Sequence, residues 1–300
     1  MRTITVGAAQ LGPIARDESR AAVVMRLIVL LREARSRDCD LVVFPELALT
    51  TFFPRWALTE TAELDGFFEH EMPGRDTKPL FDEARRLGLA FCLGYAELAD
   101  GGGTTRRYDT AILVDAAGRI VGKYRKIHVP GHAGPRRDFD VGDLGFGVWR
   151  MLGGLVGMCI GDDRRWPEAY RVMGLQGVEL IVLGYNTPVH HPPAPEHDLL
   201  ANFHNALVMQ AGAYQNGTWV VGVAKCGREE GVHQIGQSQI IAPSGETVAM
   251  AATLGDEVIV ARCDLDLCRL YKTTVFDFAR YRRPEHYRLI TERTAAIPPG

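Results

Sequence analysis

The sequence predicts an α/β fold built from two sheets packed face to face with helices on their outer sides, in one domain. Three observations lead there. Apolar strand runs alternate with amphipathic helices through the first half of the chain. A hairpin and a later β-rich stretch then break the alternation, which excludes a simple doubly wound order. No Pro-, Gly- or Ser-rich linker divides the 300 residues, and a composition 46% hydrophobic suffices for one large core. The domain is expected to span residues 1–300, with a dispensable tail after about residue 290.

Taken in order, residues 3–11 alternate small and β-branched side chains and predict a strand buried on both faces. Residues 17–37 place Val23, Leu27, Leu30 and Ala34 at helical spacing. The short apolar run 41–44 stops at Pro45-Glu46, setting a carboxylate at a strand's C-terminal edge, where layered α/β folds bind ligands. Phe52, Phe53 and Trp56 follow in a loop whose aromatics suit a pocket lining. Residues 76–87 predict a helix ended by Gly88, and residues 89–96 a strand. A hairpin over 108–115 and 119–124 turns at Ala117-Gly118 and delivers Lys123-Tyr124-Arg125-Lys126-Ile127-His128. Residues 130–147, rich in Gly, Pro and charge, read as an active-site loop. The apolar run 154–160 meets a polar turn at Gly161, and Pro167 stands where a helix begins. A strand at 179–183 ends in Gly184-Tyr185-Asn186-Thr187-Pro188. Residues 202–214 predict a helix, and 219–224, 237–242 and 258–264 the closing strands.

Composition narrows the function. A net charge of −3 gives no basic face for nucleic acid or an anionic membrane, so a small molecule is the expected partner. The six cysteines are scattered, mostly in apolar runs, rather than spaced as a disulfide framework or metal knuckle, which predicts a reducing compartment. With no signal core and no bilayer-length apolar run, the expected location is the cytoplasm. No phosphate-binding glycine loop, zinc spacing or Gly-x-Ser-x-Gly elbow occurs.

Strand-turn-helix junctions such as 154–168 present one residue beside backbone N–H groups, an arrangement acyl-transfer enzymes use for a nucleophile. Here the tip residue is Gly161, which has no side chain to react. Taken together, Phe44-Pro45-Glu46, Lys123-Tyr124-Arg125-Lys126 and the Gly161 turn resemble the three catalytic motifs of the nitrilase superfamily. Within it, residues 45–56, 94–98, 126–132, 163–168 and 184–188 resemble N-carbamoyl-D-amino-acid amidohydrolases. The resemblance implies an α-β-β-α sandwich, assembly as homodimers or homotetramers through helices near the turn, and no metal or organic cofactor. It also implies a glutamate that deprotonates a cysteine and a lysine that holds the oxyanion. Glu46 matches the glutamate and Lys126 the lysine, while the nucleophile falls on Gly161. Asp162 replaces the asparagine that usually follows. The loop before Gly142 is shorter than the family's and leaves Pro135 or Arg136 near the expected second glutamate, with Asp138 or Asp140 as stand-ins.

Each candidate has a plainer reading beside it. Glu46 and Lys126 are expected in the pocket rather than in solvent, and Asp162 is either a turn carboxylate or a new acid/base. Arg164 and Arg165 suit capture of a substrate carboxylate, with at least one pointing inward. Asn186, Thr187, His128 and Trp56 are expected to line the substrate site, Asp163 to cap the turn, and Cys159 to be a small buried hydrophobe. His128, His132 and His204 read as hydrogen-bonded histidines rather than metal ligands. The missing thiol is expected to leave a hole that holds a water or part of a bulkier substrate. The function expected is non-covalent acid/base chemistry on a small carboxylate-bearing nitrogen compound: cyclisation, dehydration, elimination or water-mediated C–N cleavage. An amidohydrolase inactivated at its nucleophile and a non-catalytic binding or assembly subunit remain as alternatives.

Overall fold

The computed structural model describes residues 1–56, 58, 60–130, 138–190 and 194–299. In chain order its strands begin with β1 (Thr3–Gln10), β2 (Leu41–Val43), β3 (Ala90–Asp100), β4 (Thr105–Val114) and β5 (Ile120–Arg125). Then come β6 (Val148–Met151), β7 (Gly154–Ile160), β8 (Leu180–Tyr185) and β9 (Trp219–Ala224). The chain closes with β10 (Cys226–Glu229), β11 (Val232–Ile235), β12 (Gln239–Ile241), β13 (Thr247–Met250) and β14 (Glu257–Asp264). One six-stranded sheet has the order β14-β1-β2-β3-β4-β5 and the other β13-β12-β9-β8-β7-β6, with β10 and β11 a separate hairpin. Each large sheet carries a parallel run at its centre, β1-β2-β3 and β7-β8-β9, flanked by antiparallel partners.

Alternation along the strands explains the layering. Ile4, Val6, Ala8, Leu41 and Val43 face Val156, Met158, Leu180 and Val182 of the opposite sheet in the central core. The intervening residues Ala9, Val42, Phe91 and Leu93 instead pack under the helices α1 (Arg20–Ser36) and α3 (Lys78–Leu87). Between those helices lies the short α2 (Thr61–Asp65). On the other side α4 (Pro167–Leu175) and α5 (Ala201–Asn216) cover the second sheet through Tyr170, Met173, Met209 and Ala213. With both faces of the parallel strands covered, β2, β7, β8 and β9 are apolar along their length rather than alternating with polar residues. The α-β-β-α sandwich is therefore the observed fold. Among the described residues, no helix is long and apolar enough to cross a membrane.

Differences from the sequence reading fall at edges and hairpins. β6, β10, β11 and β13 were not foreseen, because four-residue strands with exposed positions carry no apolar run to read. β3 continues to Asp100 and turns through glycines into β4, so 89–96 is only its buried half. Beyond Arg282 the chain runs exposed through α8 (Arg288–Glu292), preceded by the short α6 (Leu267–Lys272) and α7 (Phe278–Tyr281).

Candidate active site

The elements bring four chain segments to one place, the C-terminal ends of β2, β7 and β8 and the junction of β4 with the residue after β5. Glu46 lies three residues past β2 and is 1% exposed. The backbone turns sharply behind it at Leu47, whose φ of 47° is left-handed and strained for a branched residue. Gly184 on β8 makes room for this segment: a Cβ there would fall on the Pro45 carbonyl carbon and the Glu46 amide nitrogen. Asn186, just beyond β8, donates its N–H to Glu46 Oε2 at 2.8 Å and its side-chain amide to the Glu46 carbonyl at 2.8 Å.

Lys126 follows β5 and donates its N–H to the Asp109 carbonyl of β4 at 2.8 Å, extending the β4–β5 ladder by one pair. Residues directly opposite in an antiparallel pair project to the same face. Lys126 Nζ accordingly sits 2.5 Å from Glu46 Oε1 and 3.2 Å from Asp109 Oδ2, and all three side chains are buried. Asp109 was missed in the sequence, where it looked like the polar start of an apolar strand. The one available signal was an acid just before the apolar run of residues 111–114.

The charges settle unevenly. Burial pushes the Glu46 carboxyl up, but the Lys126 ammonium and hydrogen bonds from Asp109, Lys126 and the Asn186 N–H together hold it below its ordinary range. Asp109 is driven well above its ordinary range, first by burial and then by the neighbouring Glu46, with Lys126 only partly offsetting them. Lys126 is raised despite its burial, by Glu46 and Asp109.

Gly161 lies against this cluster. Its φ is 49°, and a Cβ built on it would come within 2.8 Å of Lys126 Nζ and closer still to Glu46 Oε1. The expected hole is therefore not open, since the ends of Glu46 and Lys126 occupy the space a side chain would need. Asp163 holds the turn in place. It accepts from Ile160 N–H at 3.0 Å, His128 N–H at 2.9 Å and Tyr124 Oη at 2.7 Å, and contacts His128 Nδ1 at 2.8 Å. Tyr124 and His128 flank Lys126, so this one buried carboxylate sets the lysine opposite Gly161.

The cluster forms part of the wall of a cavity of about 440 Å³ that Phe52, Arg55, Phe139, Asn186, Thr187, His197 and His204 also line. Of the expected site residues, Glu46, Lys126, Gly161, Asp162, Arg164, Arg165, Asn186 and Thr187 line it. His128 and Trp56 do not. His128 stacks on Trp166 with centroids 4.8 Å apart and is held by Asp163, while Trp56 packs on Phe67 with Arg16 and Arg55 over its ring. Asp162 pairs with Arg165 at 2.9 Å instead of joining Glu46 and Lys126. Arg164 does point inward, but its guanidinium is committed to Asn205 Oδ1, the Gly161 carbonyl and Thr187 Oγ1 at 2.6–3.0 Å, above the Tyr185 ring. Asp140 accepts from Arg106 and the Arg107 N–H, away from the cavity wall, and Asp138 is not among the lining residues. His132, Pro135 and Arg136 lie outside the described residues. Cys159 is fully buried on β7, its thiol pushed well above the ordinary range by burial and then by Asp163.

Comparison with known proteins decides the family. The carbon-nitrogen hydrolase family model matches residues 5–273. The chain belongs to the carbon-nitrogen hydrolase family. Among similar members, N-carbamoylputrescine amidase from Arabidopsis thaliana is 31% identical over 274 residues, covering 87% of each chain. A nitrilase from Pyrococcus abyssi is 32% identical over 262 residues, covering 86% of this chain and 90% of its own. A solved carbon-nitrogen hydrolase from Helicobacter pylori G27 superposes with a TM-score of 0.84 at 23% identity, covering 98% of this chain and all of its own. Among the described residues of this carbon-nitrogen hydrolase, no group of three or more His, Cys, Asp or Glu side chains is arranged to hold a metal ion.

Proposed function

We propose that this carbon-nitrogen hydrolase works without a thiol nucleophile, cleaving a C–N bond of a small carboxylate-bearing compound with water. In this reading Gly161 stands at the family's nucleophile position, Glu46 takes the proton from water and Lys126 holds the developing oxyanion. One observation carries it: the salt-bridged Glu46 and Lys126 close over Gly161, and the described cavity wall contains no cysteine or serine. Thr187 carries the only side-chain hydroxyl among the described wall residues, and it already accepts from Arg164. Asp162 belongs to the rim with Arg165, where the free edge of that guanidinium suits a substrate carboxylate. The relatives' names point to carbamoyl nitrogen as the first substrate class to try, N-carbamoyl-D-amino acids among them.

The reading extends to a cytoplasmic homodimer or homotetramer. Leu175 on α4 and Phe203 and Leu207 on α5 present exposed apolar side chains on the two helices that pack against the turn, which supports the assembly part. The alternatives remain an amidohydrolase disabled at its nucleophile and a non-catalytic subunit. The test is a panel of N-carbamoyl-amino acids and amides assayed with wild type, Glu46→Gln and Gly161→Cys. Glu46→Gln is expected to lower turnover by about 10²–10⁴-fold, the usual weight of a positioned base. Gly161→Cys is expected to gain nothing, because its Cβ collides with the base and the cation and its backbone is left-handed. Strong carbamoyl hydrolysis in Gly161→Cys alone, or an acyl adduct on wild-type Cys159 by mass spectrometry, overturns the reading.

A further inference from the structure

The Glu46–Lys126 pair has a third member that the proposed function does not use. Asp109 is 1% exposed and lines the cavity; its Oδ2 reaches Lys126 Nζ at 3.2 Å, while its Oδ1 is buried and meets no donor from the protein. The Glu46 carboxyl meets the same Nζ through its Oε1 at 2.5 Å, so the two acids converge on one atom. Two almost fully buried acids thus share one ammonium at the cavity wall. The other charged groups that bear on the cluster are Arg164 and Lys225, both toward Glu46, and Asp163 toward Lys126. Arg164 spends its donors on neutral acceptors and Lys225 is neutralised by Glu229. Neither cation reaches Asp109 through a hydrogen bond among the described residues. Two carboxylates converging on one buried ammonium do not both ionise, so a proton must stay between them.

We propose that Asp109 holds this proton and that Asp109 and Glu46 form an acid–base dyad around Lys126, so that the site hydrolyses its C–N substrate with water in place of a thiol. This rests on the hydrolytic reading above. The step balances without any further reactant. Glu46 takes one proton from water as the water oxygen bonds to the carbonyl carbon, and the carbonyl oxygen gains charge against Lys126. Asp109 gives its proton to the nitrogen as the C–N bond breaks, releasing an amine and an acid. The proton on Glu46 then returns to Asp109, restoring the resting state.

The decisive experiment needs no knowledge of the natural substrate. Infrared spectra of the whole protein at neutral pH are expected to contain a protonated-carboxyl stretch that shifts in D₂O and is lost in Asp109→Asn. Wild-type protein labelled with carboxyl-¹³C aspartate serves where that variant folds poorly, one aspartate resonance keeping its protonated shift at neutral pH. Turnover is then measured with N-carbamoyl-D-alanine and the panel above. Asp109→Asn is expected to lower kcat about 100-fold with little change in KM, and to remove the alkaline limb of the kcat profile. A structural role alone moves neither the limb nor the kcat-to-KM split. Absence of the protonated aspartate overturns the inference whatever the turnover. Its presence together with a complete lack of hydrolysis across the panel leaves the proton assigned to Asp109 and overturns the hydrolytic reading instead.

Discussion

Two buried ionic clusters lie on either side of the segment that carries Glu46, and they differ in the number of cations that face each acid. In the cavity wall, Glu46 and Asp109 contend for Lys126, and Asp109 Oδ1 is left without a donor. Behind it, Lys225 and Glu229 are both fully buried and pair at 3.1 Å. Glu229 accepts further from Ile14 N–H at 3.0 Å and Phe52 N–H at 2.6 Å, and Lys225 donates to the Thr50 carbonyl at 2.7 Å. This second cluster faces its one acid with two cations, Lys225 and Arg55, whose Nη2 lies 3.5 Å from Glu229 Oε1, and uses the acid's remaining bonds to tie down the loop after Glu46. A buried acid stays ionised when cations and N–H donors face it, and keeps a proton when a second acid competes for the same cation. The contrast is visible in the acids themselves: burial pushes Glu229 up, but Lys225 and the two backbone N–H groups hold it below its ordinary range, whereas Asp109 stays well above.

The largest expected effect comes from breaking the cluster around Glu229. Glu229→Gln leaves Lys225 buried without a counter-charge and is expected to cost about 3–5 kcal/mol in denaturant unfolding. Because the folded-state carboxyl is depressed, its contribution is present above the unfolded carboxylate range and fades as pH falls through the folded value. Wild type should therefore lose its advantage over the variant on acidification. An equal gap at acid and neutral pH contradicts the assignment.

An intermediate effect of opposite sign is expected at the Glu46–Asp109–Lys126 cluster. Asp109 is raised, so its stabilising preference for the proton holds below its unfolded value and is lost as pH rises through the folded one. Asp109→Asn should thus gain stability relative to wild type as pH increases, read as diverging Tm values in thermal melts. Parallel melts across the alkaline range show that Asp109 carries no trapped proton.

The smallest effect belongs to the rim. Asp162 and Arg165 are an i,i+3 pair with side chains 29% and 44% exposed, so Asp162→Asn is expected to change unfolding free energy by no more than about 1 kcal/mol. A loss approaching that of Glu229→Gln places Asp162 among the buried clusters rather than at the rim.

Several residues show how much a sequence alone conveys. The strand ending at Pro45-Glu46, the Lys126 hairpin and the Gly161 turn are legible because each follows an apolar run, and periodicity marks such ends well. That Asp163 caps its turn and Cys159 is buried also follows from local pattern. Arg164 and Arg165 look alike as neighbours, yet one is spent on Asn205, Gly161 and Thr187 while the other reaches the rim. Trp56 and His128 sit in motifs that surround the cavity, but their rings turn to Phe67 and Trp166. Adjacency along the chain does not fix which way a side chain faces once tertiary contacts compete for it.

By itself the sequence determined the layered α/β fold, the positions of Glu46, Lys126 and Gly161 at chain turns, and the lack of a thiol at the central one. Only the tertiary structure decided that Asp109, 63 positions from Glu46 and 17 from Lys126 in the numbering, shares their proton economy. The physical reason is that strand patterns record burial, which is local, whereas the ionisation of a buried acid depends on how many charges of each sign the fold gathers around it. That count is set by the pairing of β4 with β5 and by the packing of one sheet's strand ends against the other's.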